Sequence, residues 1–305
     1  MPQPRLLQLD IGRFGELPPL GQFARDHVAE LLRRAADRID AVANELLGDV
    51  GRAGGVVGTE ITAKSPADGY TILVTTPGHT INAAFRSNLP FNTEKDLVPV
   101  SVVAEVPEVL VSHPGAPFTN FREFVDYAKK NPGKLNYSSA GIGTLPHITF
   151  ELLLRKTDIA VAHIPYRGAA PAMTDLLAGV VQLKLDTYAT SNAHVAAGKL
   201  RMLGIASRAR SKLMPDTPTI AEMGIPGYEG ILWIALMAPA GTPAPVIERL
   251  AAASAKAARA PDVAEKLVRD GVDPIGGTAQ ELGAMIAREL PQWRELAKAA
   301  NIKLQ

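Results

Sequence analysis

The sequence predicts an α/β protein built as two lobes, and three observations carry that expectation. Strand-like and helix-like segments alternate from about residue 70 to the C-terminus. At 305 residues the chain is long for a single hydrophobic core. Four turns share one chemistry: TTPGHT (75–80), SSAGIGT (138–144), YRGAAP (166–171) and APAGTP (238–243). Each follows a strand-like run and leads towards a helix. Alternation of this kind predicts parallel sheets covered by helices on both faces.

In chain order, YTILVTT (70–76) reads as a short buried strand, and the Val-rich LVPVSVVAEVPEVLVSHP (97–114) as one or two more. NFREFVDYAKKNPGK (120–134) is a helix with Asn120 as its N-cap and a stop at Asn131-Pro132-Gly133. LNYSS is a strand, and LPHITFELLLRKT (145–157) a helix with Ile148, Leu152 and Leu153 on one face. IAVAHIPY (159–166) is a strand, APAMTDLLAG (170–179) a helix, and VVQLKLDT (180–187) a strand of period two. A short helix ending at Gly198, the strand LRMLGIAS (200–207), the apolar run LWIALMAPAG (232–241) and the helix PAPVIERLAAASAKAARAP (243–261) come next. The last two segments, APDVAEKLVRDG and TAQELGAMIARELPQWRELAKAA, are helical.

Composition excludes several functions. Basic and acidic residues number 32 and 31, with no long run of either sign, so no basic stripe for nucleic acid is expected. No apolar run approaches the ~20 residues that cross a bilayer, so direct membrane insertion is not expected. The absence of cysteine removes thiol catalysis, disulfides and thiolate metal sites together. His79, His163 and His194 stand isolated, and no His-x-x-x-His or Glu-x-x-His pair suggests a metal. Arg5, Asp10, Arg13 and Glu16 interrupt the N-terminus, so no export signal is visible there and the chain as written stays in the cytoplasm.

The turns carry the chemistry that remains. In open α/β sheets ligands bind outside the carboxyl ends of the strands. A helix N-terminus there offers free N–H donors and the positive end of its dipole. Gly admits close approach to the backbone, and Ser or Thr caps the helix or bonds the ligand. A carboxylate is bound this way without Arg or Lys. Capped Gly turns are also ordinary in α/β proteins, so no single turn decides the matter. GIGTLP starts like a dinucleotide fingerprint but has Pro146 at its third glycine position, and no Walker-type string occurs. No cofactor is expected. Ser139, Thr144 and His147 compose a conceivable serine hydrolase or transferase, but no Gly-x-Ser-x-Gly elbow surrounds Ser139. Tyr166-Arg167 is a candidate for meeting an anion, and Asp186, closing a strand, either receives a ligand amine or caps the next segment.

Five strings taken together resemble the Bug-type, or TctC-like, substrate-binding proteins of tripartite tricarboxylate transporters. They are AGGVVGTEITAKSPADGYTILV (53–74), LNYSSAGIGTLPH (135–147), HIPYRGAAPAMTDLLAGVVQLKLD (163–186), PDTPTIAEMGIPGYE (215–229) and APAGTP (238–243). The resemblance implies a two-lobed fold of the periplasmic-binding-protein type (type II), with 1–104 plus 230–305 as one lobe and 105–229 as the other. It implies a small carboxylate ligand held in the interlobe cleft by backbone N–H groups and water, a membrane permease as partner, a periplasmic location and no catalysis. The contacts it implies are Thr76, Gly78, His79 and Asn82 from the first lobe. From the second it implies Ser139, Gly141, Gly143, Thr144, His147, Tyr166, Gly168 and Asp186. Residues 1–52 depart from the family, lacking its opening strand and its Pro- and Gly-rich loop. A shifted reading frame or wrong start is one explanation, natural divergence the other, and a receptor relic with impaired binding is the corresponding alternative function.

Overall fold

The structure is a computed structural model that describes residues 55–300 and 302. The expectations for residues 1–52 lie outside the described residues. The elements are α1 (Val56–Ala63), β1 (Leu73–Thr75), α2 (Gly78–Phe85), β2 (Leu97–Val106), β3 (Glu108–Ser112), α3 (Phe121–Lys130), β4 (Asn136–Ser139), α4 (Leu145–Thr157) and β5 (Ala162–Pro165). They continue with α5 (Ala169–Leu177), β6 (Leu183–Thr187), α6 (Tyr188–Ala196), β7 (Arg201–Ile205), β8 (Leu232–Pro239), α7 (Ala244–Ala258), α8 (Pro261–Arg269), β9 (Asp273–Pro274) and α9 (Ala279–Ala300). Helix α3 begins as its sequence predicts, with the Asn120 side chain accepting from the Glu123 N–H at 3.0 Å. Helix α4 spans the whole predicted segment 145–157.

The strands form two sheets, β1-β8-β2-β9 and β5-β4-β6-β3-β7. The expectation of parallel sheets holds only where β4 lies between β5 and β6. Every other pairing among the described strands is antiparallel. The reason is the chain path. Strand β2 leads out of the first sheet through Pro107 into β3 of the second, and after β7 the chain returns to enter the first sheet as β8. Outward and returning strands are neighbours, so they oppose. Proline at the crossing has no N–H to give to either ladder, while its carbonyl accepts from the Tyr188 N–H at 2.8 Å.

Two large cores result. In the first, Leu73, Trp233, Ala235 and Met237 of the sheet meet Leu282, Met285, Ile286 and Leu290 of α9. The second gathers Leu110, Tyr137, Leu183 and Leu185 with Ile148, Phe150, Leu152 and Leu153 of α4, and also takes Ile81 and Phe85 of α2 and Trp293 and Leu296 of α9. Helix α9, with Pro291 inside it, therefore serves both sheets.

The period-two segment forms β6, and its alternation does not mark an open face. Leu183, Lys184, Leu185 and Asp186 are all buried, so the strand is covered on both faces. Its polar face survives burial because Lys184 Nζ lies 2.7 Å from Asp186 Oδ1, and a polar residue every second position need not mean an exposed face. Lys184→Met leaves the Asp186 carboxylate buried and unpaired. The loss expected in urea unfolding is about 3–5 kcal/mol, and adding Asp186→Leu should restore most of it.

Candidate functional site

The turn between β4 and α4 is built by its own side chains. Gly141 and Gly143 have φ of 139° and 81°, conformations that favour glycine. Ser139 Oγ accepts from the Gly141 N–H at 3.2 Å and lies 2.7 Å from His163 Nε2. Thr144 Oγ1 donates to the Gly141 carbonyl at 2.7 Å, and the Gly143 N–H donates to His147 Nδ1 at 3.0 Å. Both glycine amides are therefore spent inside the turn. Among the described residues no acceptor takes the amides of Ile142, Leu145 or His147. The last two belong to the first turn of α4, where free donors and the helix dipole coincide. The open donors are thus beside the glycines and not on them.

Ser139, Gly141, Gly143, Thr144, His147, Tyr166 and Gly168 come together as one connected group. The Tyr166 N–H donates to the Ser139 carbonyl at 3.0 Å and the Gly168 N–H to the Ala140 carbonyl at 3.1 Å, which extends the parallel pairing of β4 and β5 past the strand ends. The Tyr166 hydroxyl donates to Asp175 Oδ2 of α5, so it braces the turn. Arg167 is exposed. Asp186 lies at the end of β6 with its carboxylate engaged by Lys184 and by the Thr187 N–H at 3.0 Å.

The residues expected from the first lobe form a separate group at the start of α2. Thr76 is exposed and its carbonyl accepts from the His79 N–H at 2.9 Å. His79 is buried against Phe91, with neither ring nitrogen partnered among the described residues and its pKa lowered to about 4 by burial. Asn82 is buried and its Oδ1 accepts from Arg86 Nε at 2.9 Å. Among the described residues no hydrogen bond joins this group to the second-lobe group. The two are linked through Ile81 and Phe85, which share the core of α4.

His163 is the residue that sequence reasoning missed. It reads as isolated, yet parallel pairing sets it opposite Tyr137 and brings its ring 4.1 Å from that of His147. Only the strand register signals this. The same contact weakens the hydrolase reading. The nearest base to Ser139 is His163 and not His147, the Ser139 side chain is fully buried, and no described carboxylate hydrogen-bonds His163. A buried hydroxyl whose partner imidazole has no described carboxylate behind it lacks the oriented base of a triad. Among the described residues no His/Cys/Asp/Glu group is able to hold a metal.

A cavity of about 450 Å³ lies elsewhere, flanking the two chain crossings at Glu105, Pro107, Glu229 and Ile231. None of the twelve predicted residues lines it. Across it Ser211 donates to Asp273 Oδ2 at 2.7 Å. Burial, followed by the charges of Glu229 and Asp273, raises the pKa of Glu105 to about 7.

Burial also raises Glu289 to about 7 and Glu108 to about 8, the nearby Asp186 adding to the second shift. It lowers His147 to about 3 and His163 to about 4. Above pH 4.5 the unfolded carboxyls are ionised while the folded ones keep their protons, so folding loses stability as pH rises through 7–8. Below pH 6.5 the unfolded imidazoles bind protons that the folded ones refuse, so stability is lost as pH falls. The two trends oppose between about 4.5 and 6.5, and only the carboxyls act above that. The thermal midpoint should fall from pH 6.5 to 8.5, and less steeply in Glu108→Gln. A midpoint equally steep in that variant would show that Glu108 ionises normally.

The profile described as Tripartite tricarboxylate transporter family receptor matches residues 45–302 and so begins inside the segment that sequence reading sets apart. A UPF0065 protein from the tcbD-tcbE intergenic region of Pseudomonas sp. strain P51 is 36% identical over 282 residues, covering 92% of this chain and 82% of the relative. An alignment of that length also reaches into residues 1–52. The structure of R. palustris Rpa4515 with adipate is 30% identical with a TM-score of 0.69, covering 91% of this chain and 93% of that one. The structure of the periplasmic binding protein BugD is 31% identical with a TM-score of 0.67, covering 83% and 85% respectively. The two sheets and their covering helices thus have the two-lobed fold of periplasmic binding proteins, and the chain belongs to the tripartite tricarboxylate transporter receptor family.

Proposed function

We propose that the chain is a periplasmic receptor that captures a small carboxylate between its lobes and presents it to a membrane permease, without chemical turnover. The observation that carries this reading is the start of α4. Among the described residues, the amides of Ile142, Leu145 and His147 have no acceptor and stand at a helix N-terminus with no Lys or Arg bonded to the turn. Such a place suits a carboxylate, received directly or through bridging water. Thr76, Gly78, His79 and Asn82 are the proposed facing wall, and Tyr166, Gly168 and Asp186 the flank. The lobes divide at 104/105 and 229/230, and closure is a hinge motion about the crossings. Di- and tricarboxylates, acidic amino acids and aromatic acids are the candidate ligands, and the adipate complex of the R. palustris relative favours a dicarboxylate.

Thermal unfolding of the full chain against such a panel tests the reading. A ligand at ~100 times its dissociation constant adds ~2.7 kcal/mol, which raises the midpoint by several degrees. No shift with any acid would overturn it, and turnover of an ester panel would favour the hydrolase instead. In Gly141→Val the new Cβ meets φ of 139° and the Tyr166 carbonyl at 3.4 Å. The strain of about 1–3 kcal/mol displaces the turn, and the ligand-induced shift should vanish while unfolding stays cooperative. An unchanged shift would take the turn out of the site.

A further inference from the structure

The turn at the start of α4 rests on a column of four stacked rings. Phe150 lies on Tyr137 at 3.8 Å between centroids, Tyr137 on His163 at 4.7 Å, and His163 on His147 at 4.1 Å. Tyr137 and Phe150 anchor the column, since both are fully buried and the Tyr137 hydroxyl donates to Glu151 Oε1 at 2.6 Å. The two imidazoles form the end that touches the turn. His147 Nδ1 accepts from the Gly143 N–H, which requires that nitrogen to be unprotonated. His163 Nε2 meets Ser139 Oγ, and that oxygen in turn accepts from the Gly141 N–H and lies 3.1 Å from the Gly141 carbonyl. Two imidazolium rings stacked at 4.1 Å would repel, so the stack also favours the neutral pair.

We infer that His147 and His163 are positioning residues: their stacked side chains hold the Gly141 and Gly143 amides inward, which turns the amides of Ile142, Leu145 and His147 towards the ligand. This rests on the carboxylate-receptor reading and adds to it the device that sets the turn. An alternating turn of five residues has amides on both sides of its path. A carboxylate gains from the outer ones only if the inner ones are satisfied, because an unsatisfied inner donor would draw the backbone round to water or ligand. Neither imidazole touches the ligand through its ring in this scheme. His147 contributes its backbone N–H to the carboxylate and its side chain to the support.

The test compares four variants of the full chain with wild type, using whichever panel acid gives the largest thermal shift. His147→Leu keeps apolar bulk and loses the acceptor of the Gly143 N–H, and His163→Leu keeps it and loses the hydrogen-bond partner of Ser139 Oγ. Each should weaken affinity by about tenfold or more, the loss expected from one buried hydrogen bond. His147→Asn places an acceptor near the Nδ1 position, and His163→Gln places a polar group near Nε2, so each should recover most of what its Leu counterpart loses. Amide hydrogen exchange on wild type supplies an independent readout. The Gly141 and Gly143 amides should be protected without ligand, whereas the Ile142 amide should exchange quickly until ligand is added. Wild-type affinity in the Leu variants would overturn the inference, as would Asn and Gln variants as weak as Leu while unfolding cooperatively. Fast exchange at both glycines would overturn it even if a Leu variant failed to fold. Failure of wild type to bind any acid would strike the receptor reading instead, and is distinguishable from all of these.

Discussion

The antiparallel pairing of β2 with β8 is the constraint on which the rest of the molecule depends. Its register runs from Leu97 opposite Pro239 to Val106 opposite Leu232; β2 leads through Pro107 into β3 of the second sheet, and β8 receives the chain that returns from β7 through residues 206–231. Because one strand leaves as the other returns, their pairing fixes where each sheet lies relative to the crossings. Helix α9 reinforces the arrangement by packing Leu282 and Leu290 on the first sheet and Trp293 and Leu296 on the core of the second lobe. A receptor of the proposed kind needs two bodies stiff enough to keep their walls in shape and a connection thin enough to bend. A short crossing at Pro107 and the returning segment 206–231 are the connections that would bend.

Around the second sheet, the ionisable groups buried among the described residues are paired or neutral. Lys184 and Asp186 neutralise one another within β6, and Glu108 beside them is favoured in its protonated form by burial. The imidazoles under the turn are kept neutral for the same reason. The consequence for the proposed function is direct. With no full charge bonded into the turn among the described residues, the field there comes from peptide dipoles and the end of α4. A fixed dipole site binds an anion with modest strength and releases it without breaking a strong ion pair, which suits a carrier that must hand its cargo on.

The supports of the turn divide their work between neighbouring elements. Strand β4 brings Ser139, β5 and the residue after it bring His163 and Tyr166, and α4 with its N-cap brings His147 and Thr144. The alignment of β4 with β5, Tyr137 opposite His163 and Ser139 opposite Pro165, sets all of these distances at once. A slip of one residue would point the alternate side chains to the opposite face and dismantle the ring column.

Local features of this protein were legible in its residues. Helices α3 and α4, the Asn120 cap and the turn between β4 and α4 follow from propensity, capping and short-range spacing, and all act within a few residues. Five ordered strings were enough to mark the family. Long-range pairing was settled at the level of the folded chain. Antiparallel partners for β8 come from the route of the chain through the crossings, and no local pattern encodes that route. The burial of Lys184 and Asp186 depends on what covers each face of β6, which the alternation does not state. His163 joins Ser139 from 24 residues away, and which turn amides remain open depends on that contact. Physical proximity of this sort is created by strand register and core packing, and a sequence states it only once those are known.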